Sequence, residues 1–306
     1  MKPKLIDLLV DPEDLQSALS YQTGANSLQG KQHTYTIEAG VPMLLVSRAK
    51  AMTENSSHHE AAQTDFAYVE HYIKDGELFD YFEPYTDGAT LHEQRRLHEA
   101  ILAELPDTTS AKILDVGCGS AWVAQHFAPS QTTVVSFDIS DKNTKKALSL
   151  YPGERHFAVT GDVYRLPFRE NSFDAIISAE VIEHVPNIQA YLNNLIRVLK
   201  PGGRMVLSTP YNEKIIYSLC IHCNRPTPQH AHLHVFTEVS MGKILEQQTG
   251  INYRMQAFSN KALLKLQTHV LLKYLPFSLW RGMDKLANRL IRKPSRLIVV
   301  IEKEKA

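Results

Sequence analysis

An α/β fold built on a doubly wound sheet of seven strands follows from three observations. From about residue 92, strand-like and helix-like segments alternate, the pattern of a parallel sheet covered by helices on both faces. A buried apolar run, Ile113-Leu114-Asp115-Val116, opens directly into the glycine turn Gly117-Cys118-Gly119. A helical stretch from Asn187 to Leu199 stops at Lys200-Pro201-Gly202-Gly203, where glycine supplies the positive φ after a last turn and proline cannot continue it.

The strands are expected at Lys112 to Val116, Thr133 to Asp138, Arg155 to Thr160, Phe173 to Ala179, Arg204 to Thr209, Tyr253 to Phe258 and Leu297 to Glu302. Ahead of them, residues 1–50 carry short β-type runs and turn signals, such as Glu38-Ala39-Gly40-Val41-Pro42-Met43-Leu44-Leu45, and predict a small β-rich module. Residues 51–91 predict a helical cap rather than a solvated linker, because acidic side chains and Lys74 alternate there with Phe66, Tyr68, Tyr72, Phe79, Tyr81, Phe82 and Tyr85. Residues 92–306 form the α/β domain, with an insertion at 261–295 before the last strand.

The composition is that of a globular chain: 306 residues, 43% hydrophobic and 22% charged. The 33 basic and 33 acidic residues cancel, so nothing global points to a nucleic-acid partner, and none is expected. The 3 cysteines, Cys118, Cys220 and Cys223, cannot form a disulfide framework, and the opening MKPKLIDLLVDPEDLQ has acids where a signal peptide needs an unbroken apolar run. Apolar runs such as Leu297 to Ile301 are strand-sized. A cytoplasmic protein that does not cross a bilayer is expected.

Glycines at 117 and 119 let the backbone turn tightly and approach a ligand. Asp138 ends the next strand, where an acid in this kind of fold accepts hydrogen bonds from ribose hydroxyls. A dinucleotide would want a third glycine near its pyrophosphate, but that position is Trp122, and Asp115 places a carboxylate at the lip of the turn. S-adenosylmethionine suits the set: adenosine, ammonium and sulfonium, with no phosphate.

Here the chain resembles the class I S-adenosylmethionine-dependent methyltransferases of the type 11 kind. Ile113 to Trp122 resembles their motif I. Asp138 with Ile139 resembles the ribose acid and its adenine-packing neighbour, and Asp162 with Val163, in Thr160-Gly161-Asp162-Val163, resembles the loop whose Asp meets the adenine amine. The resemblance covers about residues 92 to 306. It implies a Rossmann-like sheet with the last strand antiparallel, S-adenosyl-L-methionine as cofactor, and cofactor contacts from Asp115, Gly117, Cys118, Gly119, Asp138, Ile139, Asp162, Val163 and Glu180. Cys118 reads as a small filler, not a nucleophile.

Methyl transfer asks the protein to hold an acceptor atom opposite the sulfonium and to remove its proton. The fourth strand ends in Ser178-Ala179-Glu180-Val181-Ile182-Glu183-His184-Val185, and His184 is the catalytic candidate for acceptor positioning or deprotonation. Glu180, Glu183 and His184 also resemble a divalent-cation motif of the ubiquinone-pathway O-methyltransferases and the small-RNA end methyltransferases. Glu183 simply pairing on the following turn is the plain alternative. A second set, Cys220, Cys223 and His232 with the alternating His230 and His234, leaves three readings open: structural zinc, acceptor-pocket histidines on one face of an extended segment, or a satisfied structural cluster.

Lys4 to Val10 with Gly40 to Leu44 resembles the zinc-ribbon family that activates tRNA and protein methyltransferases, but Asp11-Pro12-Glu13-Asp14 stands where that family has its cysteine knuckle. A zinc-free scaffold follows, with packing or a homodimer surface favoured over substrate recruitment. Residues 255–296 are basic apart from Asp284, so the insertion is expected to cover the active site and meet the acidic cap there. A basic amphipathic segment also suits peripheral contact with an anionic membrane, and an ordinary lid helix is the plain alternative. The sequence therefore predicts a methyltransferase for a small or lipophilic organic acceptor, methylated on oxygen. An RNA or protein methyltransferase and a non-catalytic cofactor-binding partner are the alternatives.

Overall fold

The computed structural model describes residues 3–46, 66–220 and 224–305. Ten helices among them are labelled α1 (Pro3–Ile6), α2 (Tyr68–Leu78), α3 (Gly88–Glu104), α4 (Trp122–Phe127), α5 (Asp141–Leu150), α6 (Ile188–Val198), α7 (Glu238–Leu245), α8 (Lys261–Lys265), α9 (His269–Leu272) and α10 (Phe277–Leu290). The strands are β1 (Val10–Asp11), β2 (Asp14–Ala18), β3 (Ser20–Gln22), β4 (Ser27–Gln29), β5 (Thr34–Glu38), β6 (Val41–Leu44), β7 (Lys112–Val116), β8 (Thr133–Asp138), β9 (His156–Gly161), β10 (Phe173–Ala179), β11 (Leu199–Pro210), β12 (Tyr217–Leu219), β13 (Pro226–Pro228), β14 (Ile251–Asn260) and β15 (Pro294–Lys303).

The seven expected strands stand side by side in the order β14-β15-β11-β10-β7-β8-β9. β7, β8, β9, β10 and β11 run parallel, and β15 is antiparallel to both β11 and β14. Their residues, such as Ile113, Leu114, Val135 and Ile176, are buried on both faces because helices cover both sides, which is why these strands read as near-continuous apolar runs.

The sheet does not stop at seven. β6 adds in parallel to β9 through Met43 against Thr160 and Leu44 against Gly161, and β5, β4 and β3 follow, giving an 11-stranded sheet. The expected separate β-rich module is thus largely an extension of the main sheet. The physical reason is the edge of β9: its unpaired backbone groups are satisfied by an entirely buried strand. Leu5, Leu9, Leu28 and Tyr35 share one core with Phe137, Phe157 and Phe168. In this segment buried Asp11 accepts hydrogen bonds from Tyr35 Oη at 2.9 Å, Lys31 N at 2.7 Å and Glu13 N at 3.0 Å.

The expected meeting of acidic cap and basic insertion is not seen as ion pairs among the described residues. Among the described residues no ion pair joins an acid of 66–87 to a base of 261–295; residues 51–65 of the expected cap lie outside the description. Asp80 pairs instead with Lys146, and Lys142 Nζ donates to the Glu77 carbonyl at 3.0 Å, because α5 lies nearer. The insertion is fastened to α3: fully buried Arg96 donates to the carbonyls of Leu272 at 2.7 Å and Leu275 at 2.8 Å.

Candidate active site

The strand β7 ends at Val116, and the next residues turn back beneath the end of β8. Gly117 N and Cys118 N both donate to the Phe137 carbonyl, at 2.8 and 3.1 Å. Gly117 has φ +66, and a Cβ there would lie 2.5 Å from Val181 Cγ2, so only glycine fits. Ala121 holds the left-handed conformation at φ 55 with no Cβ-free residue to ease it, a strain of the kind concentrated at functional turns.

Three acids stand at or beside the carboxyl ends of the neighbouring strands β7, β8 and β9. Asp138 accepts from Gly119 N at 3.2 Å, Ser140 N at 2.9 Å and Asn143 Nδ2 at 3.4 Å, and the Cys118 thiol lies 3.9 Å from its Oδ2. Asp162 accepts from Tyr164 N at 2.9 Å and Tyr68 Oη at 2.5 Å. Asp115 is 2% exposed, and its Oδ2 has no hydrogen-bond partner. Burial, then the nearby Asp138 charge, pushes the Asp115 carboxyl up to about 8. Burial also pushes the Cys118 thiol well up, which keeps it un-ionised and unreactive. Ile139 and Val163 are partly buried and pack against the main core.

Two carboxylates leave β10 and part company. Glu180, at φ 57, accepts from Ser208 Oγ at 3.1 Å and pairs with Arg296 Nε at 3.0 Å. Glu183 is 1% exposed, and neither carboxylate oxygen has a hydrogen-bond partner. Burial, then the charge of Glu180, raises its carboxyl well above the usual range. One ligand atom each from Glu183, His184 and His232 lies within 4.8 Å of the others.

The histidine loop is shaped for this grouping. His184 Nδ1 faces the Ala231 carbonyl at 3.4 Å, and a carbonyl only accepts, so Nδ1 carries the hydrogen and Nε2 the lone pair. Burial, then the neighbouring His232, holds His184 down at about 4, neutral at physiological pH. His232 Nδ1 meets Glu213 Oε1 at 2.5 Å, the carboxylate-histidine pairing that leaves Nε2 to face a metal. The expected alternation of His230, His232 and His234 along an extended segment is not found. His230 and Ala231 turn left-handed at φ 59 and 54, and His234 Nε2 goes to the Val185 carbonyl at 2.9 Å. The three-residue group therefore draws one member from the second candidate set and leaves Glu180 with Arg296. Cys220 follows β12 and opens the turn of the exposed β12–β13 hairpin, and Cys223 lies outside the described residues.

Residues 90–254, over half the chain, match the family described as a methyltransferase domain. The chain belongs to this methyltransferase family. Among curated proteins, it is similar to a ubiquinone biosynthesis O-methyltransferase of Rickettsia bellii, with 34% identity over 125 residues, 40% of this chain and 52% of that protein. A malonyl-[acyl-carrier protein] O-methyltransferase of Erwinia billingiae is 30% identical over 116 residues, 38% of this chain and 45% of that protein. The chain thus spans about half the length of these curated relatives. The fold also matches an S-adenosylmethionine-dependent methyltransferase of Mesorhizobium loti, with TM-score 0.50 and 17% identity, over 69% of this chain and 100% of that one.

S-adenosylmethionine is the cofactor of this family, and the methyltransferase turn fits it. The orphaned, buried Asp115 carboxylate lacks the counter-charge that an ammonium would bring, and the glycine cradle would be filled by any Cβ at 117.

Several residues of the site carried no local signal. Tyr72 Oη donates to the His184 carbonyl at 3.0 Å and its ring meets that imidazole edge-on at 5.7 Å. Tyr68 reaches Asp162, and Tyr81 lies 4.0 Å from where a Gly119 Cβ would stand. The aromatic richness of the cap marked these tyrosines as packing residues without saying on what. Arg296 and Glu93, 3.9 Å apart, come from the last strand and from α3, and no spacing links either to Glu180.

Proposed function

We propose that the methyltransferase domain transfers the methyl group of S-adenosylmethionine to an oxygen of a small or lipophilic organic acceptor held beside Glu183, His184 and His232. The observation that carries this reading is Glu183: a buried carboxylate with no well-formed hydrogen bond among the described residues and the Thr209 hydroxyl as its near neighbour, one ligand atom of which lies within 4.8 Å of one each from His184 and His232, one loop away from the glycine turn. The O-methyltransferase names of the two curated relatives support the choice of oxygen.

In this reading Asp115 faces the ammonium, Asp138 the ribose hydroxyls and Asp162 the adenine amine, with Ile139 and Val163 beside the ring. Gly117, Cys118 and Gly119 supply backbone closeness rather than side chains. The acceptor oxygen attacks the methyl carbon in line with the departing sulfur. The carbon–oxygen bond forms as the carbon–sulfur bond breaks, and the sulfonium becomes a neutral thioether. Tyr72 and the cap exclude water from that line.

Glu183, His184 and His232 would hold a divalent cation, with Glu213 orienting His232 from behind. Such an ion, when bound, lowers the pKa of an acceptor hydroxyl and fixes its direction. His184 would then act as a positioning ligand, and an acceptor hydroxyl acidified there would pass its proton to solvent water before it attacks, so that no protein base is needed. Glu180, locked by Arg296 and Ser208, shapes the pocket wall.

Incubating the protein with methyl-labelled cofactor and a panel of catechols, phenols, carboxylic acids, amines and transfer RNA tests this. Label is expected in a phenol, catechol or carboxylate product. Label in the RNA or amine fraction alone overturns the reading.

A further inference from the structure

The helix α10 has two apolar faces, and only one is covered. Trp280 and Asp284 point inward, 3% and 1% exposed. Trp280 meets His92 edge-on at 6.0 Å, and Asp284 accepts from the backbone of Ser259 at 3.0 Å and Asn260 at 2.7 Å. On the opposite arc, spaced by four, three and four residues, Leu279, Met283, Leu286 and Leu290 form a single stripe, 45% to 76% exposed. The short helices α8 and α9 and the chain after them add Leu266, Val270, Leu271 and Tyr274, 52% to 78% exposed. Eight large apolar side chains exposed within one insertion, four of them along one helix face, are more than the scattered apolar surface every protein carries.

Every solvent-facing charge of this insertion is positive. Asp284 is its one acid and is consumed inside the fold, while Arg281 pairs with Glu104 and Arg292 with Glu238. Lys261, Lys265, Lys273, Lys285, Arg289 and Lys293 have no acidic partner among the described residues. Lys285 and Arg289, one turn apart, flank the leucine stripe.

The insertion also stands at a defined edge. Arg296 pairs in register with Phe258 on one side and Pro210 on the other, and its guanidinium holds Glu180. The insertion therefore rises from the same carboxyl edge of the sheet that carries the candidate site.

We propose that this insertion docks the protein on a bilayer containing anionic phospholipid, with the Leu279–Leu290 stripe among the acyl-chain ends and the flanking lysines and arginines on headgroup phosphates. The charge pattern selects this occupant. A second copy docking by a two-fold axis would set one all-positive surface against another, whereas an anionic surface complements both the apolar stripe and its cationic borders. The proposal goes beyond the acceptor reading, and its readout is lipid binding, so either can fail without the other.

Vesicle flotation of the full chain tests it, with phosphatidylcholine vesicles with and without phosphatidylglycerol. Binding is expected only with phosphatidylglycerol and should weaken as salt rises. The doubly substituted Leu286→Gln, Leu290→Gln and Lys285→Gln, Arg289→Gln proteins should each bind about tenfold more weakly. Because all four side chains are exposed, their thermal midpoints and their heat of S-adenosylhomocysteine binding should match the parent. No flotation on anionic vesicles at low salt overturns the proposal. So does flotation unaffected by either pair, or a dimer in light scattering that the leucine pair dissolves.

Discussion

The Tyr68 hydroxyl donates to the Asp162 carboxylate at 2.5 Å and so ties the cap helix to the end of β9, across 94 residues of sequence. Asp162 also accepts a hydrogen bond from Tyr164 N at 2.9 Å. Replacing Tyr68 by Phe removes a partner from a buried acid whose burial already raises its carboxyl. The unfolding free energy in urea is expected to fall by about 1–3 kcal/mol. An unchanged midpoint would mean that the contact does not form in solution.

If Asp115 faces the cofactor ammonium as proposed, cofactor binding is expected to be coupled to loss of its proton. Its folded carboxyl sits at about 8 against 3.8 for an exposed one, so between these values the fold holds a proton that the unfolded chain lacks. Stability contributed by this group is complete below the unfolded value and declines as pH rises toward 8. An arriving ammonium favours the ionised form and expels the proton. Calorimetry of S-adenosylmethionine binding near pH 7, in buffers of different ionisation enthalpy, should show a proton release approaching one per ligand. Asp115→Asn should abolish that release, and buffer-independent heats in the parent protein would rule the coupling out.

Gly117 tests the cradle. Gly117→Ala meets Val181 Cγ2 and also occupies φ +66, so it should cost about 2–4 kcal/mol and eliminate cofactor binding. Adding Val181→Ala relieves the collision alone. The double variant should recover part of the stability and leave about 1–2 kcal/mol of backbone strain.

The pair Glu180–Arg296 is only partly buried, with side chains 24% and 20% exposed. Arg296→Met strands the carboxylate and should cost about 1–2 kcal/mol, with Glu180→Gln in that background restoring most of it. Burial already raises the Glu180 carboxyl, so the loss in the single variant should grow as pH rises from the carboxylate range to neutrality. A double variant as unstable as the single one would remove the pairing as the cause.

Manganese offers a direct view of the Glu183 group. Paramagnetic resonance of added Mn²⁺ should show a bound signal in the parent protein, lost in Glu183→Ala and weakened about tenfold or more in Glu213→Ala. Equal binding in all three proteins would place the ion elsewhere.

The sequence by itself determined the frame of this methyltransferase domain. Its seven expected strands, the glycine turn and the acids at 115, 138 and 162 are local in character: apolar runs, turn chemistry and residues at strand ends announce themselves within a short window. Only the tertiary structure decided how distant segments share that frame. β6 joins β9, Tyr68 and Tyr72 reach loops about a hundred residues away, and Arg296 takes Glu180 out of the group that Glu183 forms with His184 and His232. These pairings arise because a buried polar atom or an open sheet edge must find a partner from whichever part of the chain the fold brings near, and that requirement leaves no periodicity in the sequence.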